Sequence, residues 1–218
     1  MSLPALSLLQ TRVLGVLIEK QHTVPDAYPM TINAITSGCN QKTSRDPVLT
    51  ASDSEVQHAL DELRALSLAI ESSGGRVMRY AHNTERVLGI PSQAVALLAV
   101  LMLRGAQTAA ELRINSDRLH RFADVSTAEA FLRELGERPA GALVMELPRQ
   151  PGTRETRWTH LLSGAPAATS VATQATDDIV TVSELAALRS HVRELAGEVS
   201  ALRNVVTRLC AELGVPPP

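Results

Sequence analysis

The chain has 218 residues, of which 44% are hydrophobic and 20% are charged, and its formal net charge is -2. This length leaves room for one large domain or two small ones with a buried core. The charge balance excludes a global attraction to nucleic acid or anionic lipid, so nucleic-acid binding would depend on local basic patches. Aromatic residues are too scarce for the stacking platform that binds single strands.

The N-terminal part predicts two helices separated by prolines. Apolar residues at helical spacing from Leu6 to about Glu19 predict a first helix with one buried stripe. Pro25 and Pro29 interrupt helicity, and a short second helix fits Thr31–Gly38. Residues Asn40–Thr50 follow as a polar loop.

A third helix and a hairpin complete the first half. Ser54 followed by Gln57 reads as a capping box that opens the third helix. The apolar face of this helix has five members: Val56, Ala59, Leu60, Leu63 and Leu66. Strands at Leu68–Ile70 and Val77–Tyr80 flank a glycine-containing turn, and glycine supplies the positive φ that a tight hairpin needs. Three helices and a hairpin in this order predict a winged-helix domain over residues 1–83.

The second half repeats this order, which indicates internal duplication of one unit. Pro91 suits the first position of a helix that ends at Gly105. Two further capping boxes open a short and a longer helix: Thr108 with Glu111, and Ser126 with Glu129. Strands at Leu143–Leu147 and Arg157–Leu162 close the unit. We therefore predict a second winged-helix domain over residues 84–163.

The C-terminal part changes character twice. Residues 164–180 are rich in Ala, Thr and Ser and predict a flexible linker. Residues 181–214 predict a coiled-coil helix, because apolar residues recur alternately every three and four positions. The members of this seam are Leu185, Leu188, Val192, Leu195, Val199, Leu202, Val206, Leu209 and Leu213. Val at a and Leu at d favour a parallel homodimer; the alternative is a helix that folds back on its own domains.

The predicted fold class is therefore mainly α with small β-hairpins (α+β), with two tandem winged-helix domains plus a C-terminal coiled-coil helix. Several runs of residues also resemble one bacterial family, the YceH family, over roughly Leu6–Leu162. The runs in the first half are Val16–Gln21, Pro25–Ala34, Cys39–Lys42 and Arg45–Val48. Those in the second half are Leu103–Gly105, Gln107–Thr108, Glu111–Arg113, Arg118–His120 and Leu147–Glu155.

The resemblance implies a tandem winged-helix fold and a cytoplasmic location, and it leaves the function open. One departure is conservative, since Met30-Thr31-Ile32-Asn33 stands where the family pattern usually has Leu-Thr-Leu-Asn.

The sequence predicts a cytoplasmic, non-enzymatic protein that needs no metal and no cofactor. Cys39 and Cys210 lie far apart without a CxxC or a histidine at ligand spacing, which favours free thiols in a reducing compartment. Met1–Gln10 lacks the basic region of a signal peptide. The longest apolar run, Ala94–Leu103, is too short to cross a bilayer. Motifs of nucleophilic, phosphate-binding or metal chemistry are absent from the sequence.

Arginines of the second half are the candidate contacts to duplex DNA, because phosphate contacts come mainly from Arg, Lys and backbone amides. The set is Arg113, Arg118, Arg121, Arg133, Arg149, Arg154 and Arg157. The alternative, equally open, is that these arginines pair with neighbouring carboxylates. The third helix of the first half is different, since Glu55, Asp61 and Glu62 outnumber Arg64 and would repel phosphates.

The loop after the second helix offers Asn40, Lys42 and Arg45 as possible contacts to a phosphate or an acidic partner. In the structural interpretation, which we favour, Asn40 closes the helix and Asp46 pairs with Arg45 or caps the turn.

Two functions follow from these patterns. The first is a dimeric DNA-associated protein of regulatory type, whose coil supplies a second DNA-binding site. The second is a protein–protein interaction scaffold or adaptor with an unknown protein partner and no direct DNA contact.

Overall fold

A computed structural model describes residues 3–72, 77–149, 152–153 and 155–166. Within these residues the fold is mixed α/β, with seven α-helices, a short 3-10 helix and two antiparallel hairpins. The helices are α1 (Leu8–Thr23), the 3-10 helix (Pro25–Ala27), α2 (Ile32–Cys39), α3 (Asp53–Ala65), α4 (Thr84–Leu88), α5 (Ser92–Arg104), α6 (Ala109–Asn115) and α7 (Val125–Gly136). The strands are β1 (Ala69–Ser72), β2 (Arg79–His82), β3 (Val144–Glu146) and β4 (Trp158–His160).

These described residues belong to one compact unit that ends at Pro166. The predicted linker beyond Pro166, the predicted coiled coil and its whole seam lie outside the described residues. The predicted boundary between two winged-helix domains at residues 83 and 84 stays a prediction.

Helix α1 is buried all round, so the predicted single buried stripe is wrong. Ser7 caps the helix, and its hydroxyl and the side chain of Gln10 form a capping box. Nine consecutive residues from Gln10 to Ile18 are buried. The physical reason is that α2 and α3 pack on part of this helix while α5, from the other half of the sequence, also packs against it.

Helix α5 is the second buried helix, because all ten residues of the apolar run Ala94–Leu103 are buried. It meets α1 closely at Gly15, where an added Cβ would lie 3.0 Å from the Leu103 side chain. One hydrophobic core therefore runs through both halves of the described chain. Such continuous burial leaves α5 without the polar face of a surface helix.

The two hairpins repeat the same plan. Strand β1 pairs with β2 from Ala69↔His82 onward, and β3 pairs with β4 from Val144↔His160 onward. Strand β2 also forms a bridge to the segment before α2, at Met30↔Tyr80, and β4 forms a bridge to the segment before α6, at Gln107↔Trp158. Three helices and a hairpin occur in the predicted order as α1–α3 with β1–β2 and as α5–α7 with β3–β4, and the short helix α4 between them is an element that the sequence did not predict.

Two of the three predicted capping boxes are wrong in position. Helix α3 begins two residues early, because Ser52 and Glu55 form its box. Gln57 instead donates to Asp61 at 3.0 Å and accepts from the Tyr80 hydroxyl at 3.2 Å. Ser52 and Ser54 each have an acceptor side chain three residues later, and capping at Ser52 makes the helix two residues longer.

In the second half, Asp124 caps α7 by accepting from the Thr127 amide at 2.7 Å, so the predicted Ser126–Glu129 box does not form. The Thr108–Glu111 box of α6 is confirmed. Pro91 is the cap of α5 and not its first residue, and Gly105 ends that helix with φ of +73° as predicted.

Two histidines at matching hairpin positions, His82 and His160, make stability depend on pH. Burial lowers the pKa of each to about 4, with a smaller contribution from His22 at His82. The unfolded chain, whose histidines have the ordinary pKa of about 6.5, binds more protons than the folded chain between about pH 6.5 and about pH 4. We expect the free energy of unfolding to fall as the pH is lowered through that window.

Urea midpoints at pH 7 and pH 5 would measure this fall. The matched control is the double variant His82→Gln/His160→Gln, whose midpoints should differ less between the two pH values. An equal or higher midpoint at pH 5 in the natural chain would contradict the expectation.

Candidate nucleic-acid interface

A cleft of about 240 Å³ opens in the second half between the starts of α6 and α7 and the β3–β4 hairpin. Eight residues line it: Ala109, Ala110, Val125, Glu129, Arg149, Glu155, Thr156 and Trp158. Trp158 is 8% exposed, so the cleft wall rests on the hydrophobic core.

Backbone pairing fixes the hairpin beside α6. The amide of Gln107 donates to the Trp158 carbonyl at 3.1 Å, and the Trp158 amide donates to the Gln107 carbonyl at 2.7 Å. The Asn115 side chain donates to the Gln107 side-chain oxygen at 2.6 Å, which ties the end of α6 to the segment that bridges to β4. These bonds hold the β3–β4 hairpin, whose connecting loop includes Arg149, against the segment before α6.

Three of the predicted arginines lie on elements around this cleft. Arg149 lines it directly. Arg113 follows Ala109 by one helical turn on α6, and Arg133 follows Glu129 by one turn on α7, so each shares a face with a residue of the lining. Hydrogen bonds from Thr127 and Ser126, with a smaller effect of the Arg113 charge, hold the pKa of Asp124 below its ordinary value.

Three of the predicted contacts, Arg133 among them, are already paired. Arg133 lies 3.4 Å from Glu129, Arg121 lies 3.8 Å from Asp117, and Arg157 lies 3.7 Å from Glu111. The first two pairs are exposed, and exposed ion pairs are worth at most about 1 kcal/mol.

Arg157 is held more firmly, because its guanidinium also donates to the Ala106 carbonyl at 3.0 Å. Arg113, Arg118 and Arg149 form no ion pair with any carboxylate in the described part of the chain. Arg154 lies outside the described residues. Arg138, just after the end of α7, donates to the Leu88 carbonyl at the end of α4.

The prediction that Arg45 contacts a phosphate or an acidic partner is wrong, because its side chain is buried and faces Glu19. Its Nη2 lies 2.6 Å from Glu19 Oε2, and its Nη1 lies 3.1 Å from Glu19 Oε1. Nε donates to the Gly38 carbonyl at 3.0 Å. Burial acts to raise the pKa of Glu19, but the bonds and charge of Arg45 outweigh it and hold that pKa below its usual range.

Asn40 agrees with the structural interpretation, because it is the C-cap of α2, whereas the predicted pairing of Asp46 with Arg45 is wrong. The Asn40 side chain donates to the Ala51 carbonyl at 2.8 Å and accepts from the Ala51 amide at 2.7 Å, which closes the loop. Lys42 is exposed. Asp46 does not pair with Arg45; its amide donates to the Leu103 carbonyl at 2.8 Å and ties the loop to α5.

Sequence reasoning missed a buried arginine next to this loop. Arg12 is fully buried on α1 and donates to the Cys39 carbonyl at 3.3 Å and to the Pro47 carbonyl at 2.7 Å. Arg104 of α5 donates to the Ser44 hydroxyl at 2.8 Å. The signal that could have found Arg12 is its place directly before the uncharged run from Val13 to Ile18, which is buried throughout. Arg12 and Arg45 thus hold the loop together inside the protein, and neither is available to a partner.

The exposed side of α3 is acidic, as the sequence predicts. Glu55, Asp61 and Glu62 are exposed, and Arg64 pairs with Asp61 at 3.1 Å and also with Glu71. A shallow groove of about 350 Å³ between α3 and the start of α1 adjoins this side.

Within the described ranges, no group of three or more His, Cys, Asp and Glu side chains is placed to hold a metal ion. Cys39 is a buried free thiol, and burial raises its pKa to about 12. Of the helices that the structure describes, none has both the length and the hydrophobicity needed to span a membrane.

Fold and cleft define a mixed α/β protein with two helix–hairpin units, the second of which carries arginines around a cleft. Residues 6–153 match the family described as "Protein of unknown function, DUF480", and the chain belongs to that family. A UPF0502 protein of Paraburkholderia xenovorans is 56% identical over 215 residues, covering 98% of this chain and 91% of the relative. A UPF0502 protein of Dechloromonas aromatica is 56% identical over 205 residues, covering 94% and 96%. The bacterial family membership that the sequence runs indicated is confirmed.

Proposed function

We propose that this chain is a non-enzymatic, DNA-associated protein that contacts duplex DNA through arginines of its second half, on α6, on the turn after it and on the loop of the β3–β4 hairpin. The observation that carries the proposal is the position of Arg113, Arg118 and Arg149. They lie on α6, on the turn after it and on the hairpin, and they have no ion-pair partner among the described carboxylates. Free guanidinium groups are suited to phosphate oxygens.

The fold class that fits this proposal is a tandem winged helix. In a helix-turn-helix unit the recognition helix lies in the major groove and neighbouring elements contact the backbone. Helix α7 would be the recognition helix of the second half, and the β3–β4 hairpin would be its wing. Because a shared fold does not by itself establish function, the proposal depends on the arginines that have no ion-pair partner among the described carboxylates.

The seam from Leu185 to Leu213 supports a homodimer, because its heptad spacing and its Val and Leu positions favour two parallel strands. A dimer would offer a second cleft to the same duplex, and linked binding sites raise affinity without new contacts. A cytoplasmic location is part of this proposal, since the chromosome is there in bacteria.

The test is a pair of charge-reversal variants with the same change in net charge. Arg118→Glu/Arg149→Glu should weaken binding to a labelled random duplex about tenfold or more in fluorescence anisotropy, because two phosphate contacts become repulsions. Arg79→Glu/Arg86→Glu, which alters two exposed cations outside the predicted contacts, should weaken it far less. Circular dichroism checks that both variants fold. Equal losses in the two variants would contradict the assignment of the cleft.

A second candidate function is a protein–protein interaction scaffold, and the acidic exposed side of α3 favours it. Under this alternative the natural chain does not bind duplex DNA at low salt.

A further inference from the structure

We infer that the chain binds duplex DNA through its phosphates and without preference for base sequence, an inference that rests on the proposed DNA association. The expected target is therefore duplex DNA in general and not one operator sequence. The outer side of α7 would face the bases, and the turn and the hairpin that flank it would face the DNA backbone.

The outer side of α7 offers little with which to read bases. Its solvent-accessible positions are Ser126, Glu129, Ala130, Arg133, Glu134 and Glu137 at the C-cap. Sequence readout in the major groove relies mainly on Arg or Lys for guanine and on Asn or Gln for adenine. Residues Val125–Gly136 contain no Lys, Asn or Gln.

The side-chain donors that α7 does present are engaged within the protein. Arg133, its single arginine, bonds to Glu129 at 3.4 Å. The Ser126 hydroxyl donates to Asp124 at 2.8 Å. To bind a base, Arg133 must first release Glu129, and Ser126 must first release Asp124 at the N-cap.

Carboxylates on the same side oppose close approach to DNA. Glu134 and Glu137 are exposed, and neither forms an ion pair with a described cation. A carboxylate close to phosphates is repelled, and this repulsion weakens with salt. Arg118 and Arg149, on the turn and the hairpin that flank α7, are exposed, and neither forms an ion pair with a described carboxylate. Attraction therefore comes from the turn and the hairpin, where side chains meet the backbone.

The experiment is anisotropy of the full chain with three labelled duplexes of equal length: one of A·T pairs, one of G·C pairs and one of random sequence. We expect dissociation constants within about threefold of one another at each salt concentration. The logarithm of the binding constant should fall linearly with the logarithm of salt, by about 0.9 for each phosphate contacted. Arg118→Ala and Arg149→Ala should each make that slope shallower by about one.

Arg133→Ala should leave both the slope and the order of the three duplexes unchanged, and Arg86→Ala is the matched control for losing an exposed cation elsewhere. A preference above about tenfold for one duplex that Arg133→Ala removes would overturn the inference and leave the proposed function intact. A slope that Arg118→Ala and Arg149→Ala do not change would overturn it as well. Failure to bind any duplex at low salt would overturn the proposed function itself, and the inference with it.

Discussion

Replacing Glu19 with alanine is expected to lower the free energy of unfolding by about 3–5 kcal/mol, because it leaves a buried guanidinium without its counter-charge. The Arg45 side chain is 0% exposed and the Glu19 side chain is 17% exposed. Two bonds of 2.6 and 3.1 Å join them. Without the carboxylate, Arg45 keeps only carbonyl and amide oxygens as acceptors, including those of Gly38 and Gln41.

Urea unfolding monitored by Trp158 fluorescence measures this loss. Trp158 lies in the second half, so a shift caused by Glu19 also reports that the halves unfold together. The control is Glu134→Ala, an exposed carboxylate whose removal should change stability by less than about 0.5 kcal/mol. A loss below about 1 kcal/mol for Glu19→Ala would mean that the Arg45 pair is not the main fastening of the loop.

Leu103→Ala is expected to destabilise the protein by about 2–5 kcal/mol, the range for truncating a fully packed leucine. Leu103 is 3% exposed and lies against Gly15, where the buried helices α1 and α5 meet. The lost methyl groups therefore leave a cavity between the two halves. Leu8→Ala is the matched control, because Leu8 is 47% exposed and its truncation should cost far less.

A second substitution tests the same contact from the other side. Gly15→Ala places a Cβ 3.0 Å from the Leu103 side chain, which must then shift. In the Leu103→Ala background that space is free, so the two changes should be non-additive by about 0.5–3 kcal/mol. Additive effects, measured by urea unfolding, would show that the helices separate freely at this point.

The element order could be predicted from the sequence because local signals carried it. Apolar spacing identified the inner face of α3 (Val56, Leu60 and Leu63), and the glycine at 105 identified the end of α5. Capping positions were less certain, because Ser52-Asp53-Ser54-Glu55 and Asp124-Val125-Ser126-Thr127 offer several caps within three residues. Only the packing of the whole helix selects among them.

The packing of α1 on α5 could not be predicted, because it joins residues about ninety positions apart that share no local pattern. The same limit hid the role of the loop. The sequence placed Arg45 beside Asp46 and offered the adjacent pair, whereas the fold brings Glu19 to within 2.6 Å. Pairing of Arg133 with Glu129 was open to sequence reasoning, because both lie on α7 and helical spacing of four predicts such neighbours. Arg121 and Asp117 lie between α6 and α7, where no helical spacing predicts their pairing. The partner of Arg157 could not be predicted either, because Glu111 lies on another element.

The measurement that tests the central claim most directly is fluorescence anisotropy of the full chain with a random duplex, titrated over a range of salt concentrations. A phosphate-contacting protein of this kind should bind with a dissociation constant of about 1–100 µM at physiological salt, and its affinity should fall steadily as salt rises. Binding that is absent even at low salt would contradict the claim. It would assign the free arginines around the cleft to a partner other than DNA.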